Sequence, residues 1–159
     1  MNHPETLNNH QQQAEAVEKL AATARKHILI FSHQLEPYLY NQQGFVSYCK
    51  TMVIRHPHSH IRLMIQNNEK LRGIEHRLLT LMHRLPSRIT LKKCHQDYQD
   101  YPETFMLTDN SGIYLKRTPG RTNATMQMDN RRLNDEYSRL FTTIWDQSDF
   151  DATLRQLSL

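Results

Sequence analysis

Short apolar runs alternate with amphipathic stretches along most of this chain. Apolar residues spaced three and four apart predict four helices, which cover about residues 14–25, 45–53, 74–85 and 130–145. Short apolar or β-branched runs bounded by polar residues predict five strands and one further edge strand. The five strands are residues 27–32, 61–65, 89–94, 104–108 and 113–116, and the edge strand is residues 122–128.

The order of these elements predicts the fold class. Helices and strands alternate through the first part of the chain, which is typical of parallel βαβ units. The later turn Asp109-Asn110-Ser111-Gly112 predicts a hairpin, because these residues supply turn hydrogen bonds and positive φ angles. We therefore predict an α/β sandwich with a mixed sheet and helices on both of its faces.

The domain organisation is simple. A chain of 159 residues most simply forms one domain, long enough to bury a core, and we assign it to residues 14–159. Residues 1–13 are rich in Asn, Gln and His, which predicts a disordered lead-in that continues into the first helix. We expect the apolar residues of the tail to pack on the domain, and these are Leu154, Leu157 and Leu159.

Composition limits the function classes without choosing one. The formal charge is +4 and the pI is about 9.2, a modest excess that permits a polyanionic partner. No run approaches the roughly 20 apolar residues of a membrane helix, and no signal-peptide pattern is present, so we expect a cytoplasmic protein with no membrane partner. Cys49 and Cys94 are too few for a disulfide scaffold, and we expect both to be reduced and buried.

The stretch from Ile74 to Arg88 carries the strongest candidate for a binding site. One face of its helix is apolar, and Pro86 ends the helix because proline disfavours helical geometry in the preceding residue. The other face is cationic, and backbone N–H groups at a helix start attract anions. We predict an anion site that joins this face to polar residues at the carboxyl ends of two strands. Its residues are His76, Arg77, Arg84, Asn67, Asn68 and His33.

Two other interpretations of the cationic face stay open. It could simply be a solvated surface. Alternatively, Arg77 or Arg84 could pair with Asp109 or Glu75 and fix the helix to the sheet.

The sequence disfavours a metal site and a thiol–imidazole pair. His56, His58 and His60 alternate in an extended segment and could converge, but no nearby Cys or carboxylate supplies the fourth ligand of structural zinc. Cys94 and His95 are adjacent on a strand, so their side chains should point to opposite faces. We expect no metal and no cofactor.

Two resemblances follow from particular segments. The strand from Phe105 to Asp109, its hairpin and the helix from Asn130 to Trp145 look like the closing half of a phospholipase D-like domain, and the segment from Leu29 to Ile65 resembles its first strands. Residues 14–159 also resemble an uncharacterised bacterial domain that occurs alone or carboxyl-terminal to GNAT-type acetyltransferase domains. The segments that match it are His76-Arg77-Leu78-Leu79, Arg84-Leu85-Pro86-Ser87 and Leu154-Arg155-Gln156-Leu157.

The phospholipase D resemblance implies a catalytic motif that this chain lacks. The signature is His-x-Lys, four further residues and Asp, and its histidine attacks phosphorus while a cation holds the phosphate. With Asp109 as the acidic member, the histidine and lysine positions hold Pro102 and Thr104. We therefore expect no catalytic residue, and a domain that binds an anionic ligand, either nucleic acid or a phosphorylated metabolite.

Two further functions stay open. A divergent phosphodiesterase or nuclease would need a relocated nucleophile, for which the candidates are His33, His76, His83 and His95. A regulatory protein-interaction module would serve an acetyltransferase partner. The superfamily resemblance also implies a homodimer, and the exposed apolar contacts expected for it are Tyr38, Leu39 and Tyr40.

Overall fold

A mixed sheet forms the centre of the protein, whose computed structural model describes residues 3–118 and 123–151. Within these residues the strands are β1 (Glu5–Leu7), β2 (His27–Ser32), β3 (His60–Ile65), β4 (Ile89–Lys93), β5 (Thr104–Thr108), β6 (Gly112–Lys116), β7 (Ala124–Gln127) and β8 (Asp149–Phe150). Their order across the sheet is β1-β7-β6-β5-β2-β3-β4-β8. The strands β2, β3 and β4 are parallel, and the other neighbouring pairs are antiparallel.

The central strand is β2, which pairs with β3 on one side and β5 on the other. Its run Ile28-Leu29-Ile30-Phe31 is apolar at every position and fully buried. A strand with apolar side chains on both faces is stable only when both faces are covered. The sequence of β2 therefore requires helices above and below the sheet.

Five helices in the described residues meet this requirement. They are α1 (His10–Thr23), α2 (Pro37–Tyr40), α3 (Gln43–Arg55), α4 (Arg77–Arg84) and α5 (Arg131–Gln147). The first four contribute to a core on one face of the sheet, together with Ile28 and Ile30. The helix α5 contributes to a second core on the other face, with Leu29 and Phe31. The alternation of β2 side chains thus divides the interior into two cores.

These elements confirm the predicted fold class, a mixed α/β sheet with helices on both faces. The five predicted strands are present, and their ends differ from the prediction by at most one residue. Both cysteines are buried and unbonded, as predicted. None of the helices in residues 3–118 and 123–151 has the length and apolar character needed to cross a membrane.

The amino-terminal segment differs from the prediction. Residues 5–7 form β1, which pairs with β7 and buries Leu7 to 1% exposure, and α1 begins at His10 with Asn9 as its N-cap. A disordered lead-in over residues 1–13 is therefore wrong for this part of it, because one buried leucine and a capping asparagine order a stretch that is otherwise polar. Since β1 lies outside β7, the strand predicted over residues 122–128 is not an edge strand.

The other end of the sheet also carries an unpredicted element. The two-residue strand β8 pairs antiparallel with β4. The hydrophobic pattern does not predict this strand, because Asp149-Phe150 is too short to show a period. The leucines of the predicted docking tail, at 154, 157 and 159, lie outside the described residues.

Asp109 stabilises the predicted hairpin turn between β5 and β6. Its φ angle is +52°, a left-handed conformation that Asp tolerates better than most residues. Its carboxylate accepts backbone N–H groups of three residues that lead into β2: Arg25 at 3.0 Å, Lys26 at 2.7 Å and His27 at 3.1 Å. Asp109 therefore ties the hairpin to the start of the central strand.

We predict that Asp109→Asn destabilises the protein by about 1–3 kcal/mol, because Asn keeps the left-handed turn but loses charge-assisted acceptance of these N–H groups. Urea unfolding at pH 7 measures the change. Asp146→Asn, on an exposed position of α5, is the matched control and should change stability by less than about 0.5 kcal/mol. Equal stability of wild type and Asp109→Asn would contradict this role.

Candidate functional site

A pocket of about 340 Å³ lies beyond the carboxyl ends of the parallel strands β2 and β3. Because β5 is antiparallel to β2 and β6 is antiparallel to β5, the start of β5 and the end of β6 lie beside the carboxyl end of β2. The pocket is therefore bordered by the segments that follow β2, by those that precede β5, and by side chains of β5 and β6. Open α/β sheets bind ligands beyond the carboxyl ends of their parallel strands.

The first wall of the pocket is the segment from His33 to Leu39. Leu35 is buried and has a φ angle of +56°, an uncommon conformation for a residue with a branched side chain. The Ser32 hydroxyl accepts the Leu35 N–H at 2.8 Å and donates to the Glu36 carboxylate at 2.9 Å. His76 donates from Nε2 to the Leu35 carbonyl at 3.1 Å. Hydrogen bonds on both sides of Leu35 thus hold a strained turn at the pocket.

The second wall is the segment from Gln99 to Pro102, which precedes β5. Gln66 fixes this segment, since its buried amide donates from Nε2 to the carbonyls of Tyr98 at 2.9 Å and Tyr101 at 2.8 Å. Its Oε1 lies 3.2 Å from Nδ1 of His33 in the first wall. One side chain at the end of β3 therefore connects both walls.

Aromatic and polar side chains of the sheet and of α2 line the rest of the pocket. Tyr114 and Lys116 come from β6, Thr104 faces Lys116 across β5, and Tyr38 comes from α2. The Tyr38 hydroxyl donates to Oε1 of Gln13 at 2.9 Å. Burial raises the pKa of Tyr38 to about 12, and it raises that of Tyr114 further. Both phenols are therefore neutral at physiological pH.

The pocket contains side chains of both charges. His33 and Lys116 can supply positive charge, and Glu36 and Asp100 supply negative charge. None of the ion pairs found in residues 3–118 and 123–151 includes any of these four. The nearby Arg117 is already engaged, because it pairs with Glu103 at 3.2 Å. Four chargeable groups thus surround the pocket without pairing to one another.

His76 does not lie on the exposed cationic face that the sequence predicts. It is 2% exposed and is the N-cap of α4, where its Nδ1 accepts the Leu78 N–H at 3.3 Å. Burial lowers its pKa to about 4, despite the opposing hydrogen bond to Leu35. The imidazole is therefore neutral and hydrogen-bonded at both nitrogens, which does not suit the anion-binding role expected of it. The structure makes it a support for the first wall of the pocket.

The other residues of the predicted anion site do not surround the start of α4. A short 3-10 turn separates Asn67 from α4, and the Asn67 side chain accepts the Glu69 N–H instead. Asn68 donates to Asp151 at 2.8 Å. Of the six predicted residues, only His33 lies in the pocket. The prediction that the asparagines cap α4 is wrong because His76 caps it.

The two arginines of α4 are exposed. Arg77 donates from its guanidinium to the Asn41 carbonyl at 2.9 Å. The side chain of Arg84 forms no hydrogen bond or ion pair with the described residues. The alternative in which either arginine pairs with Asp109 does not hold in this part of the chain, because Asp109 accepts backbone N–H groups at the opposite sheet edge. The solvated-surface interpretation describes the arginines best.

Three other groups from the sequence analysis also have defined positions. The rings of His60 and His27 are 5.6 Å apart, and no cluster of three metal-ligating side chains occurs in the described residues. Burial raises the pKa of Cys94 to about 11, so its thiol is protonated at neutral pH. Leu39 and Tyr40 are 4% and 2% exposed, so they cannot be the exposed apolar contacts expected for a dimer. They are buried because α2, which is not among the four helices predicted from the sequence, packs on the core.

Comparison with protein families identifies a family for this chain. A family model described as "Domain of unknown function (DUF7931)" matches residues 9–157. The chain belongs to the DUF7931 family. No curated protein sequence matches it significantly.

Solved structures show that this member of the DUF7931 family has a phospholipase D-like fold. It is similar to Nuc from Salmonella typhimurium, a phospholipase D family member, with a TM-score of 0.65 and 12% identity over 95% of this chain and 99% of Nuc. It is similar to NucT from Helicobacter pylori, with a TM-score of 0.62 and 8% identity over 95% of this chain and 99% of NucT.

A third similar structure is TrmBL2, an archaeal chromatin protein with a novel mode of DNA binding. The TM-score is 0.69 and the identity is 7% over 93% of this chain. The match covers 54% of TrmBL2, so the chain spans about half of that protein. At these identities the similarity shows the fold and nothing further.

The sequence identifies few of the pocket residues, but two positions in it point to the pocket. Counting back from Asp109 along the signature gives Pro102 and Thr104, and both line the pocket. These positions indicated the place even though neither residue can perform the chemistry. Glu36, Gln66 and Lys116 could not be found this way, because only the strand order brings them together.

We predict that His76 makes the stability of the fold depend on pH. The pKa of His76 is about 4 in the folded state and near 6.5 in the unfolded chain. Between pH 4 and pH 6.5 the unfolded chain therefore binds more protons at this residue than the folded protein does. The free energy of unfolding should therefore fall by up to about 3 kcal/mol from this residue as pH drops from 7 towards 4.

Urea unfolding at pH 7, 6 and 5 measures this dependence. His76→Asn retains a capping side chain but removes the titration, so its stability should fall less with pH than that of wild type. His58→Asn, at an exposed position, should follow the wild-type curve. A wild-type pH dependence in His76→Asn would rule out the proposed contribution of His76.

Proposed function

We propose that this phospholipase D-like domain binds a phosphate-bearing ligand in the pocket and does not cleave it. The ligand is a nucleic-acid strand or a phosphorylated metabolite. The observation that carries the proposal is that Pro102 and Thr104, the residues reached by counting back from Asp109 along the signature, line a pocket that also presents Lys116 and His33. Lys116 supplies a positive charge to the pocket, whereas neither Pro102 nor Thr104 can act as a nucleophilic imidazole.

The size and charge of the pocket support a ligand of this kind. A volume of about 340 Å³ is at the lower end of the range for small-molecule sites and would hold one nucleotide-sized group. Lys116 supplies a point charge with three donors, and His33 adds charge when it is protonated. TrmBL2, with a similar fold, binds DNA, which supports including nucleic acid among the ligand classes.

The surroundings of His33 support binding without turnover. A nucleophilic imidazole needs an acidic partner that orients it and stabilises its positive charge. The Nδ1 of His33 lies 3.2 Å from an amide oxygen, that of Gln66, rather than from a carboxylate. Of the other candidates, His76 is neutral and bonded at both nitrogens. These features disfavour His33 and His76 as relocated nucleophiles for a divergent phosphodiesterase.

We predict no hydrolysis of single-stranded DNA, RNA or a chromogenic phosphodiester by the purified protein. The reason is that Pro102 and Thr104 provide neither the nucleophile nor the cation of the signature. Release of product over a day at several protein concentrations measures it, with His33→Ala prepared in parallel. Turnover in the wild type that disappears in His33→Ala would show that the domain is an enzyme.

We predict that Lys116→Gln weakens binding of a phosphate-bearing ligand by about ten-fold or more, because one charge-assisted contact is lost. Fluorescence anisotropy with a labelled oligonucleotide, and calorimetry with mononucleotides, measure the dissociation constants. The salt dependence of oligonucleotide binding should also become shallower, since fewer counterions are released.

Lys50→Gln is the matched control, because Lys50 is exposed on α3 and does not line the pocket. It should bind almost as tightly as wild type. If Lys116→Gln and Lys50→Gln weaken binding equally, the anion contact does not lie in the pocket. The variant Arg77→Gln/Arg84→Gln then tests whether it lies on α4.

A further inference from the structure

Glu36 is an acidic group of the pocket whose carboxylate has one side-chain partner among the described residues. It lies in the first wall at the start of α2, and its carboxylate receives a hydrogen bond from the Ser32 hydroxyl. A carboxylate has about four acceptor positions, and a single hydroxyl fills one of them at a time. No ion pair in the described residues involves Glu36.

Two tyrosines of the pocket lie near Glu36. The carboxylate is half-buried and close enough to Tyr38 and Tyr114 to favour the neutral forms of both phenols. A carboxylate taken partly out of water loses hydration, which only donors or positive charge can replace. Aromatic rings beside it also favour a cationic group over an anionic one.

The pocket therefore presents two opposite requirements to one ligand. Lys116 and His33 favour an anionic group, whereas the carboxylate of Glu36 favours an N–H donor. An amino group satisfies Glu36 better than a hydroxyl does, because it brings two or three N–H donors, and an aliphatic ammonium group adds positive charge. A sugar phosphate without an amino group brings only hydroxyl donors to the carboxylate.

We propose that Glu36 determines the specificity of the pocket by accepting a hydrogen bond from an amino group of a phosphate-bearing ligand. This inference rests on the proposed function and adds the chemistry of the ligand. The amino group is either the exocyclic amine of a nucleobase or an aliphatic ammonium group. Both sources present the same N–H donors, and the test separates them.

Calorimetric titration with three pairs of ligands tests the proposal. CMP with UMP and AMP with IMP differ in an exocyclic amine, and O-phosphoethanolamine with 2-hydroxyethyl phosphate differ in an aliphatic amine. The amino member should bind at least about ten-fold more tightly in one class, because a site built to hydrogen-bond one group discriminates against its analogue. The class that shows the preference identifies the source of the amine.

Variants of the two acids in the pocket assign the preference to a residue. Glu36→Gln can still accept the Ser32 hydroxyl but loses its charge, and it should reduce the preference to less than about two-fold while phosphate binding persists. Asp100→Asn, in the opposite wall, is the control and should keep the preference. Thermal unfolding checks each variant, and Glu36→Ala, which also removes the carboxylate and should also lose the preference, replaces Glu36→Gln if the latter unfolds.

The possible results separate this inference from the proposed function. Equal binding within all three pairs would overturn the role of Glu36 but leave a phosphate-binding pocket. Loss of the preference in Asp100→Asn with retention in Glu36→Gln would also overturn it. If none of the six compounds nor an oligonucleotide binds, the proposed function itself fails.

Discussion

The double pairing and double covering of β2 constrain the rest of the structure. Its backbone is hydrogen-bonded to β3 and β5, and its side chains are buried in two cores. No polar side chain can be placed along such a strand without loss of stability, so polar chemistry is confined to its ends. One end carries Asp109, which accepts the N–H groups that lead into β2. The other end opens into the pocket.

This separation gives Asp109 a role in the fold that is independent of the pocket. The strand β5 runs from Thr104 in the pocket to Asp109 at the far edge, a distance of about 16 Å along an extended chain. Asp109 therefore supports the fold whatever residues occupy the pocket. Pro102 and Thr104, by contrast, line the pocket at the other end of the strand.

The strands and the fold class follow from the sequence because their signals are local. The apolar run of β2 and the turn residues at Asp109 act over a few positions, and the structure contains both elements as predicted. The candidate site does not follow in this way. His76 looks like an exposed cation in a run of arginines, but burial keeps it neutral. Its ring is hydrogen-bonded to the carbonyl of Leu35, 41 residues away, and to the N–H of Leu78. The walls joined by Gln66 likewise depend on contacts that span more than 30 residues.

The central claim is that the ligand occupies the pocket rather than the cationic face of α4. A titration of the ¹⁵N-labelled protein with a mononucleotide, followed by backbone and side-chain amide shifts, tests this claim most directly. We predict that the largest changes occur between His33 and Leu39, between Gln99 and Thr104, and at Lys116. Changes centred on Arg77 and Arg84 with an unperturbed pocket, or no changes at millimolar ligand, would contradict it.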